Sequence, residues 1–447
     1  MAFNDYQNTI DYLYSRLPMF SRIGAAAIKN DLHNTHSICS FLGNPEKKFS
    51  TIHIAGTNGK GSTSHMLAAI FQKAGYTTGL YTSPHLYDFR ERIKVNGEMC
   101  TQEFVTQFTH KVKPLIEKIK PSFFEITVGM AFDYFAQEKC DIAIIETGLG
   151  GRLDSTNVIQ PKLSLITNIG WDHMALLGNT LEAIALEKAG IIKKQTPIVI
   201  SERIQETTTV FEKKANDENA PIYFSEDFIE LISFQSNEDY ANFRFHQPLM
   251  HLLRQPLFEQ NFSLQCDLPG KYQAKNLKGV LVACQLLADM GWKLDSTTIQ
   301  YALKEIKSST GFMGRWECLQ KSPRVILDVA HNEHGIKALL DQMAHTTYDQ
   351  LHIITGMVKD KDIDTVLTLL PQKASYYFTQ SHLPRALSKE ELALKANKLG
   401  LEGKVYTDVN IAINAALQIA QQNDLILVIG SVYLVAEVDR KLFHPKK

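Results

Sequence analysis

The sequence is short of several features that would announce a function. Its six cysteines, Cys39, Cys100, Cys140, Cys266, Cys284 and Cys318, are scattered, and no two form a C-x-x-C pair. That excludes a disulfide framework or a zinc knuckle and reads as reduced thiols in a cytoplasmic protein. Neither sign of charge is in excess: Lys+Arg 47 against Asp+Glu 48 leaves a formal charge of -1. No nucleic-acid partner and no membrane surface is therefore expected. No strongly apolar run reaches the ~18 residues that a membrane span requires. The opening MAFNDYQNTIDY lacks the basic and apolar regions of a signal peptide. There is no internal repeat and no low-complexity tract.

What remains is an ordinary globular composition, 44% hydrophobic and 21% charged, over 447 residues. That length exceeds one ordinary core, so two domains are expected. Short apolar runs alternate with helical stretches: 51–54, 78–81, 142–145, 163–166 and 198–200, then 325–329, 351–355, 376–379 and 425–429. Most are continuously apolar, the pattern of strands buried on both faces in parallel sheets covered by helices. Between Ser201 and Asp267 aromatic residues alternate with polar ones, and a small antiparallel excursion is expected there. The Gly/Ser/Thr-rich stretch from Lys307 to Gly314 marks the boundary between units 1–310 and 311–447. The fold class is α/β: an N-terminal P-loop ATPase-type domain, then a smaller Rossmann-like domain.

The chemistry-bearing segments sit at the ends of these runs. Ile52 to Ala55 leads into Gly56-Thr57-Asn58-Gly59-Lys60-Gly61-Ser62, and a helical pattern follows. Strand, Gly-rich turn and helix N-terminus hold phosphate: backbone N–H groups turn toward the anion and the lysine adds a full charge. The general pattern G-x-x-x-x-G-K-[ST] is not fully met, since Ile54 and Gly61 replace its first glycine and its hydroxyl. A second strand ends in Glu146, followed by Gly148, Gly150 and Gly151; a carboxylate at a strand end is placed to hold a cation beside phosphates. Asp172-His173 follows a third strand. Asp328-Val329-Ala330-His331-Asn332 ends the first strand expected in the second unit, and Arg315 precedes that strand. An arginine on a hinge can reach a triphosphate bound by the other domain. Phe123 and Phe124 open a helix, where aromatic residues form either core or a wall for a flat ligand.

Together these segments resemble the folylpolyglutamate synthase / dihydrofolate synthase family of Mur-ligase-like, ADP-forming amide ligases. The resemblance runs through 41–45, 55–62, 81–86, 146–157, 188–193, 268–276, 328–332, 384–387 and 430–433. It implies that Thr57, Asn58, Gly59, Lys60, Gly61 and Ser62 cradle the phosphates of ATP, with Asn276, Arg315 and Asp328 as further contacts. Ser83, Glu146 and His173 would ligate Mg²⁺, with Lys188 as a carbamylated lysine beside them. A monovalent cation such as K⁺ is a further implied cofactor. Gly24, Ser122, Phe123, Phe124, Glu125, Leu153, Asp154 and Ser155 would form the folate or pteroate site, and His331 and Ser431 would lie near the incoming L-glutamate. Lys60, Lys188, His173 and Arg315 are the implied catalytic set.

The activity implied is joining of L-glutamate to dihydropteroate or to a reduced folate through an acyl phosphate, by a cytoplasmic monomer. A monofunctional folylpolyglutamate synthase and a ligase for UDP-muramyl peptides are the nearest alternatives. Segments 83–86 and 123–125 argue against the latter. A nucleotide switch needs no second domain supplying Arg315 and Asp328, and a folate-binding protein without catalysis needs no phosphate loop.

Overall fold

The computed structural model describes residues 5–27, 29, 31–237, 239–249, 255–359 and 361–443. Eight strands form the larger sheet, in the spatial order Glu98–Met99, Ile93–Val95, Thr78–Tyr81, Ile142–Glu146, Ser50–Ala55, Leu163–Ile166, Ile198–Ile200 and Ile222–Phe224. From Thr78–Tyr81 onward all neighbours run parallel; only the first two strands are antiparallel additions. The alternation of side chains across a strand divides the core into two layers. Ile52, Ile54, Ile142 and Ile144 pack with helix Lys60–Lys73 and helix Gln273–Asp289 on one face. Tyr81, Ala143 and Ile145 pack with helices Gln102–Ile119 and Phe123–Gln137 on the other. Helix Lys60–Lys73 is buried continuously from Ser62 to Phe71. It therefore holds the loop before it rigidly against the sheet.

The smaller unit has six strands, in the order Glu317–Lys321, Arg324–Asp328, Leu425–Gly430, Leu351–Gly356, Ser375–Phe378 and Gly403–Val405, with only the first antiparallel. Each of the nine expected runs overlaps a strand. Three details differ from expectation. The stretch after Ser201 first forms helix Gln205–Asp217 and the parallel strand Ile222–Phe224. The antiparallel excursion is confined to the sheet Glu230–Ser236, Ala241–His246 and Asn261–Cys266. The stretch 306–310 is a short helix closed by Gly311 in the left-handed region (φ 63°), not a loop. Asp328 ends the second strand of its unit, because a hairpin intervenes after Arg315.

Ile144 lies fully buried in the middle of the larger sheet. Ile144→Ala should destabilise the protein by about 2–5 kcal/mol in urea unfolding, because the rigid layer cannot collapse onto the cavity. A loss below about 1 kcal/mol would show that the layer relaxes freely.

Candidate active site

The carboxyl ends of both parallel sheets face one cleft of about 1010 Å³. All the residues to which the resemblance gives a site role line it except Gly24. Gly24 has φ 61° and does not itself line the cleft, while Phe20 and Ala27 on either side of it do. The backbone turn at Gly24, not a contact from it, is what that segment contributes.

The Gly-rich turn is buttressed from the strand beside it. Asn168 accepts from the Thr57 N–H through its carbonyl (2.9 Å) and from the Asn58 N–H through its side chain (2.8 Å). The Thr167 hydroxyl donates to the Asn58 carbonyl (2.5 Å). Gly59 has φ 85°, and a Cβ there would sit 2.2 Å from Asn276 Oδ1. Asn276 donates to Gln273 (2.7 Å), and Gln273 donates to the Ser62 hydroxyl (3.2 Å). Asn276 is thereby packed against the loop as well as lining the cleft.

A half-buried lysine and a buried one converge on one atom. Lys60 Nζ donates to the Gly56 carbonyl at 3.0 Å and Lys188 Nζ to the same oxygen at 2.9 Å. Burial, and then the charge of Lys60, lower the Lys188 pKa to about 7. Burial also lowers that of Lys60, against the attraction of Glu146. Glu146 is buried at its strand end; burial pushes its carboxyl up to about 7 against Lys60. Its Oε2 accepts from the Ser83 N–H (3.2 Å). His173 stands across the cleft in the left-handed region (φ 51°), with Nε2 3.8 Å from Asp172.

The pteroate-side residues split by role. Ser122 and Glu125 form a reciprocal capping box that starts helix Phe123–Gln137. Glu125 Oε2 accepts from the Ser122 N–H (2.6 Å) and from Asn34 (3.3 Å); Oε1 has no partner among the described residues. Phe123 is packed among Tyr14, Phe89 and Arg92 and is mostly core. Phe124 lies against Gly148, where a Cβ would meet its ring at 2.5 Å. Asp154 uses both oxygens within its own loop, accepting from the N–H groups of Gly148, Leu149 and Thr156 and from the Thr156 hydroxyl. It fixes the wall that Leu153 and Ser155 help to line.

The second unit closes the cleft. Asp328 accepts from the N–H groups of Trp316 (2.8 Å) and Ala330 (2.9 Å), so it shapes the backbone that presents Arg315 and His331. Ser431 caps the helix Val432–Ala436 through the Leu434 N–H (3.1 Å). Asn58 and Asn332 exchange side-chain hydrogen bonds (3.3 and 3.1 Å). Lys361 reaches Asp172 at 2.5 Å and His331 stands 3.7 Å from it. Burial alone would raise the Asp172 pKa, but the His331 hydrogen bond and the Lys361 charge hold it well below the usual carboxylate range.

A Mur ligase middle domain matches residues 54–284 and a Mur ligase glutamate ligase domain matches 314–432. A dihydrofolate synthase/folylpolyglutamate synthase of Bacillus subtilis is 33% identical over 98% of this chain and 100% of its own. The chain belongs to the folylpolyglutamate synthase / dihydrofolate synthase family. FolC of Escherichia coli, solved with DHPP and ADP, superposes with TM-score 0.81 at 28% identity, covering 98% of this chain and 97% of its own. A bifunctional folylpolyglutamate synthase/dihydrofolate synthase of Yersinia pestis, solved with AMPPNP and a Mn ion, gives TM-score 0.80 at 26% identity, covering 99% of each chain. Like its family, this chain is an ATP-dependent, ADP-forming ligase that joins L-glutamate to pteroate or folate substrates.

Sequence reasoning missed several groups that this ligase brings into the cleft. Arg92 is buried, donates from Nε to His85 (2.8 Å), stands over the Phe123 ring and has no ion-pair partner among the described residues. Lys361 comes from the second unit and carries no local signal. Asp172 was visible as part of a strand-end motif, but its partner lies 189 residues away.

Gly56 has φ 150°, and a Cβ there would lie 1.8 Å from Thr167 Oγ1. Gly56→Ala must displace Thr167 and with it the loop carbonyls. The expected result is a loss of about 100-fold or more in kcat/KM for ATP, with the circular-dichroism spectrum retained. Wild-type kinetics would show that the loop's shape is not what binds phosphate.

Proposed function

We propose that this cleft phosphorylates a pteroate or folate carboxylate with ATP and then transfers the acyl group to the amine of L-glutamate. One observation carries the reading: Lys60 and Lys188 share the Gly56 carbonyl in a buried site beside Glu146. Two ammonium groups so close are mutually unfavourable out of water. The conflict disappears if one lysine faces a triphosphate and the other becomes an anion. With its pKa lowered to about 7, Lys188 has a free amine at neutral pH. That amine can add CO₂, forming a carbamate and releasing one proton. The neutral amine thereby becomes an anion of charge −1 where a metal would be held; counted from the ammonium form, two protons leave in all.

The residues present fit a divalent cation shared with phosphate. Among the described residues no cluster of three His, Cys, Asp or Glu could cage a metal alone. A cation that keeps few protein ligands and takes phosphate oxygens does not require such a cage. Ser83, Glu146 and His173 would hold it, and it would neutralise charge on the transferring phosphoryl group. Lys60 and the N–H groups of 57–62 orient the triphosphate. Arg315 adds a cation from the second unit, and Asp328 fixes the backbone on either side of it.

A carboxylate is a poor acyl donor because its oxygen leaves badly. Phosphorylation converts that oxygen into a good leaving group. Water would hydrolyse the product, and the contacts Asn58–Asn332, Lys361–Asp172 and Arg385 on the Phe20 carbonyl close the cleft against it. His331 and Ser431 line the side from which glutamate would attack. Arg92 offers a buried cation for a substrate carboxylate. We place the division between an ATP- and folate-binding unit and a glutamate-ligase unit at 310/311. All six cysteines are free, in keeping with a cytoplasmic setting.

Both ligations are assigned to this one centre. ADP release should depend on L-glutamate with dihydropteroate and, separately, with a reduced folate. Release with reduced folate alone would make the enzyme monofunctional. Lys60→Ala should keep the fold and lose ligation; near wild-type turnover would remove the phosphate-loop assignment. Phe124→Ala should cost about 1–3 kcal/mol in kcat/KM, more with dihydropteroate than with folate. Equal losses would show that Phe124 is not the wall for the shorter substrate.

A further inference from the structure

The hinge between the two units is fastened to the phosphate-loop helix by groups outside the cleft. Lys94 is buried and has no carboxylate partner among the described residues. Its Nζ donates to the carbonyls of Thr310 (2.8 Å) and Gly311 (3.2 Å), the last groups of helix Ile306–Thr310. Those are helix-end carbonyls left without intrahelical partners, which a cation satisfies well. His65, one turn beyond Lys60, binds the same residue: its Nδ1 lies 2.7 Å from Thr310 Oγ1. The Thr310 hydroxyl donates its single proton to the Ile306 carbonyl (2.6 Å), so it accepts from the His65 N–H. Phe312 then packs against the His65 ring, tilted 43° with centroids 4.5 Å apart, and its edge would lie 3.7 Å from a Cβ on Gly61 of the phosphate loop. Gly97 approaches so closely that a Cβ would meet the Ser309 carbonyl at 2.1 Å. Everything up to Phe312 therefore moves with the phosphate loop. From Met313 onward the chain is held by the second unit instead: the Gly314 N–H donates to Glu317 (2.8 Å) and its carbonyl accepts from the Val329 N–H (3.1 Å), so the change of partner falls between Phe312 and Met313, just before Arg315.

We propose that Lys94 and His65 are positioning residues for Arg315: they fix the linker to the phosphate-loop helix so that the guanidinium meets the transferring phosphate at a set distance in each closure. This rests on the reading of Arg315 as a contact to ATP. Neither residue lines the cleft. Their effect must pass through Arg315, and that distinguishes them from groups that only stabilise the fold.

The test is a double-mutant cycle on ADP release. Lys94→Met and Thr310→Val should each lower kcat about tenfold, leaving KM for L-glutamate within about twofold, because a misplaced catalytic group costs rate more than substrate binding. In an Arg315→Ala background neither should lower kcat further. Thr310→Ser, which keeps the hydroxyl, should restore the wild-type rate. If Lys94→Met does not fold, the Thr310→Val and Thr310→Ser pair makes the same comparison through His65. Additive losses in the Arg315→Ala background, or wild-type kcat for Thr310→Val, would overturn the proposal while leaving Arg315's role standing. A wild-type rate for Arg315→Ala alone would overturn that role, and the proposal with it.

Discussion

The organisation of the cleft follows from two lysines that share one carbonyl oxygen. Lys60 and Lys188 both reach Gly56 in a buried site. A buried like-charge pair is tolerable only if its members end in different charge states. Neighbouring groups separate them. Lys60 opens a helix and sits where an anion binds. Lys188 lies at the end of a different helix, Leu181–Ala189, with its pKa lowered to about 7, so that a sizeable share of its amine is unprotonated at neutral pH. Glu146, raised by burial, needs a cation to ionise fully. In the mechanism we propose, triphosphate, metal and a carbamate on Lys188 together would satisfy all three groups, and no one of them would do so alone.

The second unit is held to this centre by polar contacts rather than by a continuous apolar core. The Asn58–Asn332 amide pair ties it to the phosphate loop itself, and Lys361 with His331 ties it to Asp172 beside His173. Such contacts can break and re-form as substrates enter. An apolar interface of the same size would resist opening. The aromatic and carbonyl contacts at the other rim, from Arg385 to Phe20, have the same character. Closure and chemistry therefore share residues, and the geometry that excludes water is also the geometry that delivers Arg315.

Much of this was legible in the sequence because buried parallel strands are continuously apolar. Each run from 51–54 to 425–429 became a strand, and their carboxyl ends carried the Gly-rich turn, Glu146, Asp172 and Asp328. What stayed hidden lacked a local signature. Glu98–Met99 and Gly403–Val405 are short, exposed edge strands without an apolar run. Lys361 and Asp172 meet only through the tertiary fold. Gly24 was placed by resemblance, and its backbone turn rather than its own surface shapes the wall. Asp154 and Asp328 were read as ligand contacts; both line the cleft, and their oxygens also hold backbone N–H groups, a second role that only coordinates reveal.

The central claim is that Lys188 works as an anion while Lys60 remains a cation. It is tested most directly by ¹³C NMR of the enzyme equilibrated with ¹³C-labelled bicarbonate. A carbamate resonance should be present in the wild type and in Lys60→Arg, and absent in Lys188→Arg, which should also be inactive in ligation. A wild-type enzyme with no carbamate resonance, together with a Lys188→Arg variant of full activity, would contradict the account.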